Sequence, residues 1–313
     1  MVTSASIIIC TYNRSASLID TLRSIREMRV REGIDWEVLV VDNNSTDDTA
    51  EKVEEFAKDC HIAVRYHFEP KQGKANALNR GISNARGEIL VFTDDDALVD
   101  RHWLGFIVDT FNDLTPDCVG GKVLPLWLGA RPDWLTDRLL NVLAVLDFGD
   151  DTYELNKEKD EMLYGVNFAF KRDFFLRHGT FNVDLCSRGA GNEDHEIFER
   201  LKRMKGRAIY HPEVVVEHKI FPERLNKSYF RRWHYLVGRD RAKLVKESRF
   251  KVFGIEGYML RSFLAFVGKY LQSVVALDRN SIFYYELKLI LYLSYFESRL
   301  MKPIRGCSAN PNH

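Results

Sequence analysis

Ile89-Leu90-Val91-Phe92-Thr93-Asp94-Asp95-Asp96-Ala97 is the stretch on which the reading of the fold turns. A short apolar run, Ile89 to Phe92, breaks abruptly into three consecutive carboxylates. A run of that length closing on polar residues reads as a buried strand reaching its end. In an open α/β sheet, ligands bind outside the carboxyl ends of the strands. Three acids crowded at such an end repel one another. A divalent cation with a phosphate on its far side offsets that repulsion, and Mg²⁺ or Mn²⁺ suits a few carboxylates plus phosphate oxygens. The competing reading is a solvated acidic turn that caps a helix beginning near His102.

Upstream of this stretch, strands alternate with helices. Ser6 to Thr11 is a β-branched run, turned by Tyr12-Asn13-Arg14-Ser15. Leu18, Leu22 and Ile25 recur at helical spacing behind it, with Ser15 or Ser17 as the expected cap. Glu37 to Val41 is a second strand, ending in the acidic, turn-rich Asp42 to Thr49, and a helix from about 48 to 60 follows. Val64 to Phe68 is a third strand, Lys71 to Lys74 a loop and Ala75 to Asn84 a helix. That alternation implies a parallel, doubly wound sheet. Neither GxGxxG nor GxxxxGK[ST] is present. A nucleotide would therefore be held through a metal and side chains, not a glycine cradle.

Downstream the pattern loosens. Val119 to Val123 reads as a strand, and 147–159 as a polar, mobile loop. Tyr164 to Phe170 reads as one strand interrupted at Asn167, and 208–210 and 214–216 as two short strands ending at Glu217-His218. Between them Gly191-Asn192-Glu193-Asp194-His195-Glu196 opens a helix, where the helix dipole alone would favour acids.

At 313 residues the chain can bury a full core. Lys and Arg balance Asp and Glu at 45 each, so no overall field points to nucleic acid, and no nucleic-acid partner is expected. The balance is local: between Arg224 and Lys251, ten Lys/Arg face only Asp240 and Glu247. Five scattered cysteines without a CxxC suggest reduced thiols in a cytoplasmic setting. The N-terminal residues do not read as a secretory leader. No uncharged apolar stretch reaches the roughly 18–20 residues that span a bilayer.

Six motifs in order carry a resemblance. They are Ser6 to Arg14, Val40 to Asp47, Gly73 to Asn79, Phe92 to Asp96, Gly165 to Arg172 and Gly191 to Glu196. Together they resemble the family-2 glycosyltransferases of the GT-A fold. The resemblance implies a Rossmann-like, doubly wound, mostly parallel sheet over residues 1–220, with a nucleotide-binding half (1–115) and an acceptor-binding half (116–220). A helical extension (221–305) and a disordered tail (306–313) would follow.

It further implies a hexosyl-type transferase that moves a sugar from a nucleotide-diphosphate donor to a hydroxyl, with inversion and with Mn²⁺ or Mg²⁺. Asp94 and Asp96 match the DxD acids, and His218 would complete a metal or diphosphate site. Asp95 would meet the ribose. Asp194 matches the general base, oriented by Glu193. Thr11, Tyr12, Asn13, Arg14, Asp42, Asn43 and Lys74 would hold the donor. Asn43 stands where relatives carry an acid, which loosens the preference for a UDP-sugar. Trp134 and Asn167 fall on the acceptor side.

The acceptor would be a glycan or lipid-linked glycan in cell-surface polysaccharide assembly. Residues 224–300, basic and then rich in Phe, Tyr and Leu, suggest a peripheral membrane surface on the cytoplasmic face, a homodimer interface or a helical cap. Two alternatives share the sheet: a nucleotidyltransferase that makes nucleotide sugars, and a non-catalytic sugar-binding scaffold.

Overall fold

The fold is described from a computed structural model, which covers residues 1–155, 161–184, 192–244, 251–252 and 254–300. Part of the expected mobile loop, Ser187 to Gly191, Cys186, Cys307 and the tail 306–313 lie outside the described residues.

Apolar runs dictate the sheet. β1 (Ser4–Thr11), β2 (Asp35–Asp42), β3 (Ala63–Phe68) and β4 (Ile89–Asp94) pair in parallel in the order β3-β2-β1-β4. Ile7 to Ile9, Val38 to Val41 and Ile89 to Val91 are wholly buried, as strands covered on both faces require. α1 (Ser15–Arg26), α2 (Thr49–Lys58) and α3 (Lys74–Asn84) are the crossovers. The sheet then continues through β8 (Phe168–Lys171), β6 (Cys118–Trp127), β9 (Ala208–Ile220) and β5 (Ala97–Val99), with β7 (Tyr153–Glu154) also on β9. In this half β6 and β9 are parallel, while β8, β5 and β7 run antiparallel to their neighbours.

Several local expectations change. Ser15 is the first residue of α1, which no side chain of its own N-cap bonds; instead Asp47 Oδ2 accepts Ser15 N–H at 3.1 Å from the neighbouring loop. The three acids are no solvated cap, because Asp95 and Asp96 are buried and β5 separates them from α4 (Trp103–Leu114). Gly165–Asn167 forms a 3₁₀ turn ahead of β8, not strand. The two short strands at 208–216 are one strand, β9, whose register with β6 shifts between Gly121 and Val123. Tyr153–Glu154, read as loop, pairs with β9.

The chain divides into two compact units, one of 1–131 and 139–225, the other of 132–138 and 226–313. The first holds the sheet, α5 (Arg172–His178) and α6 (Asn192–Arg203). The second holds α7 (Lys227–Leu244), a β10–β11 hairpin (Lys251–Val252, Ile255–Glu256), α8 (Gly257–Val275) and α9 (Arg279–Leu300). Its core gathers Ile255, Met259, Leu291, Tyr292 and Tyr295. Gly238 lets α7 approach α9 closely, since a Cβ there would meet Leu291 O at 2.2 Å. Tyr295 and Arg299 both bond the buried Glu256.

Candidate active site

The parallel pairing of β1, β2 and β4 brings their carboxyl ends together, with Thr11 beside Asp42 and Cys10 beside Asp94 in register. The loops beyond are stitched to one another. Asn13, in the left-handed region at φ 52°, donates its N–H to Ser45 Oγ at 2.9 Å, and its Oδ1 accepts Thr46 N–H at 2.7 Å. Thr11 Oγ1 donates to Asp95 Oδ2 at 2.8 Å. Tyr12 is exposed at the edge of this loop.

Asp42 and Asn43 lie at the expected strand end, but their polar atoms serve the fold. Asp42 accepts Ser45 N–H and Tyr66 O–H at 2.8 and 2.7 Å. Asn43 donates to Glu69 O and Lys71 O and accepts Gly73 N–H at 2.7 Å, holding the 69–73 loop.

Asp96 is the electrostatic centre. Its carboxylate is buried and takes Arg14 Nη1 at 2.8 Å, Arg224 Nη2 at 2.9 Å and His218 Nε2 at 3.2 Å. Burial works against its charge, but His218, Arg224 and Arg14 outweigh it and hold the carboxyl well below its usual range. Burial, and then the charge of Asp96, push Asp95 upward instead.

Sheet pairing explains how a histidine 122 positions away arrives here: β5 runs antiparallel to β9, Ala97 faces His218, and Lys219 N–H bonds Asp96 O at 2.8 Å. His218 Nδ1 donates to Leu143 O at 2.9 Å, so Nε2 is the ring atom turned to Asp96.

This donor set fits a hard divalent ion. Neighbouring ligands of a six-coordinate ion at about 2.1 Å lie about 3 Å apart, and Asp96 Oδ1 and His218 Nε2 lie 3.2 Å apart. Of the three ligands expected, the structure brings these two together. Asp94 takes Lys74 Nζ at 2.6 Å, and among the described residues no group of three or more His, Cys, Asp or Glu forms a metal cluster. Two protein donors suffice where phosphate oxygens and water complete the shell.

Lys74 links this group to the acids of α6. Burial would lower its pKa, but Asp94, Asp194 and Glu193 keep it raised and charged. Glu193 and Asp194 occupy the buried first turn of α6. The helix is held there by Ile197, Phe198 and Leu201 in the core and by Arg200, which pairs with Glu196 and donates to the carbonyls of 178–180.

Gly165 N–H donates to Asp194 Oδ2 at 2.8 Å, and a Cβ at Gly165 would stand 2.5 Å from Asp194 Oδ1. Thr93 Oγ1 donates to Val166 O at 2.9 Å, tying that turn to β4. Burial pushes Asp194 up to about 7, with Lys74 opposing and Glu193 assisting.

Two expected acceptor-side residues stand apart. Asn167 is wholly buried, accepting Trp103 Nε1–H at 2.7 Å and donating to Lys122 O and Val214 O at 2.8 Å each, so its amide is spent inside the protein. Trp134 belongs to the second unit, edge-on to Phe230 and Phe283 at 5.1 and 5.2 Å. Sequence reasoning missed Arg224 and Gly165. Arg224 gave no local signal beyond opening a basic run, whereas a glycine in the motif beginning at 165 is itself a sign of close approach.

Comparison with known proteins adds three findings. The family profile described as Glycosyl transferase family 2 matches residues 6–179. A glucosyl-dolichyl phosphate glucuronosyltransferase of Haloferax volcanii is 27% identical over 227 residues, covering 70% of each chain. The succinoglycan biosynthesis protein ExoM of Rhizobium meliloti is 25% identical over 240 residues, covering 76% of this chain and 74% of its own.

In fold, the chain is similar to the mannosyltransferase PcManGT of Pyrobaculum calidifontis, solved with GDP-Man and Mn²⁺. The TM-score is 0.63 at 22% identity, over 94% of this chain and 86% of that one. Staphylococcus aureus TarS 1-349, solved with UDP-GlcNAc, gives 0.55 at 15% identity over 95% and 90%.

Proposed function

The chain belongs to glycosyl transferase family 2, and on that premise we propose that it transfers a sugar, with inversion, from a nucleotide-diphosphate donor to a glycan or lipid-linked hydroxyl. The observation that carries the reading is the meeting of two unlike groups at one sheet end. Around the Asp96 carboxylate stand an imidazole and two guanidinium groups, a set suited to a diphosphate and its cation. Beside them, joined through Asp94–Lys74, stands a buried acid whose pKa of about 7 suits a base.

The roles follow from the chemistry. The acceptor oxygen attacks the anomeric carbon, the bond from that carbon to the diphosphate oxygen breaks, and the diphosphate leaves with the electron pair. Asp194 Oδ1 takes the acceptor proton, while Oδ2 stays held by Gly165 N–H. Lys74 opposes the upward push of burial, so Asp194 ionises around pH 7 and not higher. Asp96 and His218 Nε2 would hold a divalent cation, Mn²⁺ or Mg²⁺, which when bound neutralises charge on the leaving diphosphate. Arg14 and Arg224, which pair with Asp96, would meet the phosphate oxygens of a bound donor. Asp95 holds the Thr11 and Arg14 loop in place, and Asp42 and Asn43 shape the wall of the donor site.

A UDP-sugar is the proposed donor. The archaeal relative's name, with its dolichyl phosphate, supports a lipid-linked acceptor, and that of the rhizobial relative supports polysaccharide assembly. The test is calorimetric titration of UDP, GDP and dTDP, each with and without Mn²⁺, on the wild type and Asp96→Ala. Manganese-dependent binding of one nucleotide, lost in the variant, supports the assignment. Absence of binding by all three refutes the donor site and favours the scaffold alternative.

A further inference from the structure

α8 presents an apolar stripe to the outside. Leu264, Leu271 and Val275 lie within one narrow arc of the helix, and are 67%, 56% and 85% exposed; Leu277, just past its end, is 81% exposed. Away from the stripe, Met259, Phe263 and Phe266 pack in the core of the second unit. Side chains of this size so fully in water on one helix face mark a contact surface and not scattered surface residues.

The charges beside the stripe select the occupant. Arg261 is exposed beside it, Lys269 is exposed farther round the same side with its Nζ 5.8 Å from the Phe266 ring centroid, and no Asp or Glu occurs from Gly257 to Leu277. A two-fold interface would set this face against itself and bring these cations toward their own copies with no acid to pair them. A bilayer meets both features at once: acyl chains take the leucines and valines, and anionic headgroups, which surround a helix lying in the interface, take Arg261 beside the stripe and Lys269 above it. No helix among the described residues is long and apolar enough to cross a membrane.

We infer that α8 lies in the surface of an anionic bilayer, with Leu264, Leu271, Val275 and Leu277 entering the acyl region and Arg261 and Lys269 meeting lipid phosphates. The inference does not depend on sugar transfer, since lipid binding is read directly.

The experiment is flotation of the full chain with phosphatidylcholine vesicles, with and without phosphatidylglycerol, at low and high salt. Wild type is expected to float with the anionic vesicles, and more weakly with neutral ones or in high salt. Leu264→Ser/Leu271→Ser is expected to cut partitioning by at least about tenfold, and Arg261→Gln/Lys269→Gln to remove its dependence on anionic lipid. Both pairs are exposed, and an unchanged melting temperature checks that each variant folds. Failure of the wild type to float with any vesicle overturns the inference, as does flotation unaffected by the leucine pair. A dimer that the leucine pair dissolves, with no flotation, assigns the face to a second copy and overturns it too.

Discussion

Replacing Asp194 with Asn separates stability from function. Burial raises this carboxyl from 3.8 to about 7 in the fold. A raised acid pKa means that the folded chain holds the proton more tightly than the unfolded one. Below pH 3.8 both states are protonated and burial costs nothing extra; as pH rises toward 7 the unfolded side chain ionises freely while the folded one resists. The stability present at low pH is therefore lost with rising pH, and the loss is complete above about pH 7.

Three pKa units correspond to about 4 kcal/mol. Asn stays neutral, and its Oδ1 can still accept Gly165 N–H. Asp194→Asn should thus be more stable than wild type at pH 8, by up to about 4 kcal/mol, and the gap should shrink toward zero near pH 4. Urea midpoints across that range measure it. Sugar transfer, followed as nucleotide release, should fall about a thousandfold with the loss of the base. In wild type kcat/KM should rise about tenfold from pH 6 to pH 8 as Asp194 ionises. Equal stability at pH 8, a gap independent of pH, or transfer retained by the variant would refute the reasoning.

Gly165→Ala should push Asp194 out of place, since the new methyl would stand 2.5 Å from Oδ1; we expect transfer to drop at least about tenfold with nucleotide affinity unchanged by calorimetry, and equal transfer would count against the placement of the base. Arg224→Gln should remove one charge-assisted contact to the diphosphate and raise the nucleotide Kd in the presence of Mn²⁺ about ten- to a hundredfold; an unchanged Kd would leave Arg224 only its bond to Asp96. Gly238→Ala would place a Cβ 2.0 Å from Ser294 Oγ, and should destabilise the packing of α7 on α9 by about 1–3 kcal/mol, seen as a lower unfolding midpoint.

Much of the first half is legible because its signals are local. The strands ending at Thr11, Asp42 and Asp94 are apolar runs closed by turns, the shorter strand ending at Phe68 sits at the sheet edge, and the crossover helices bury their apolar residues on one face. The acidic start of α6 is equally local. The later misreadings share one cause. Asn167 looked like a polar fault in a strand because nothing nearby shows that Trp103, Lys122 and Val214 take its amide. In the same way, no local pattern shows that Asp42 accepts Tyr66 O–H from β3 or that Asn43 accepts Gly73 N–H 30 residues on.

The chain's own order of residues was enough to set the element types of the first half, the acidic ends of β2 and β4, and the motif series that carries the family, since each depends on a few neighbours in the chain. Which side chains face one another depended on strand register across long separations. Pairing of Ala97 with His218 puts an imidazole on Asp96, and the turn at Gly165 reaches Asp194 across 29 residues. No periodicity encodes such meetings, because a local pattern reports how much of a segment is buried, whereas the packed sheet alone determines what it is buried against.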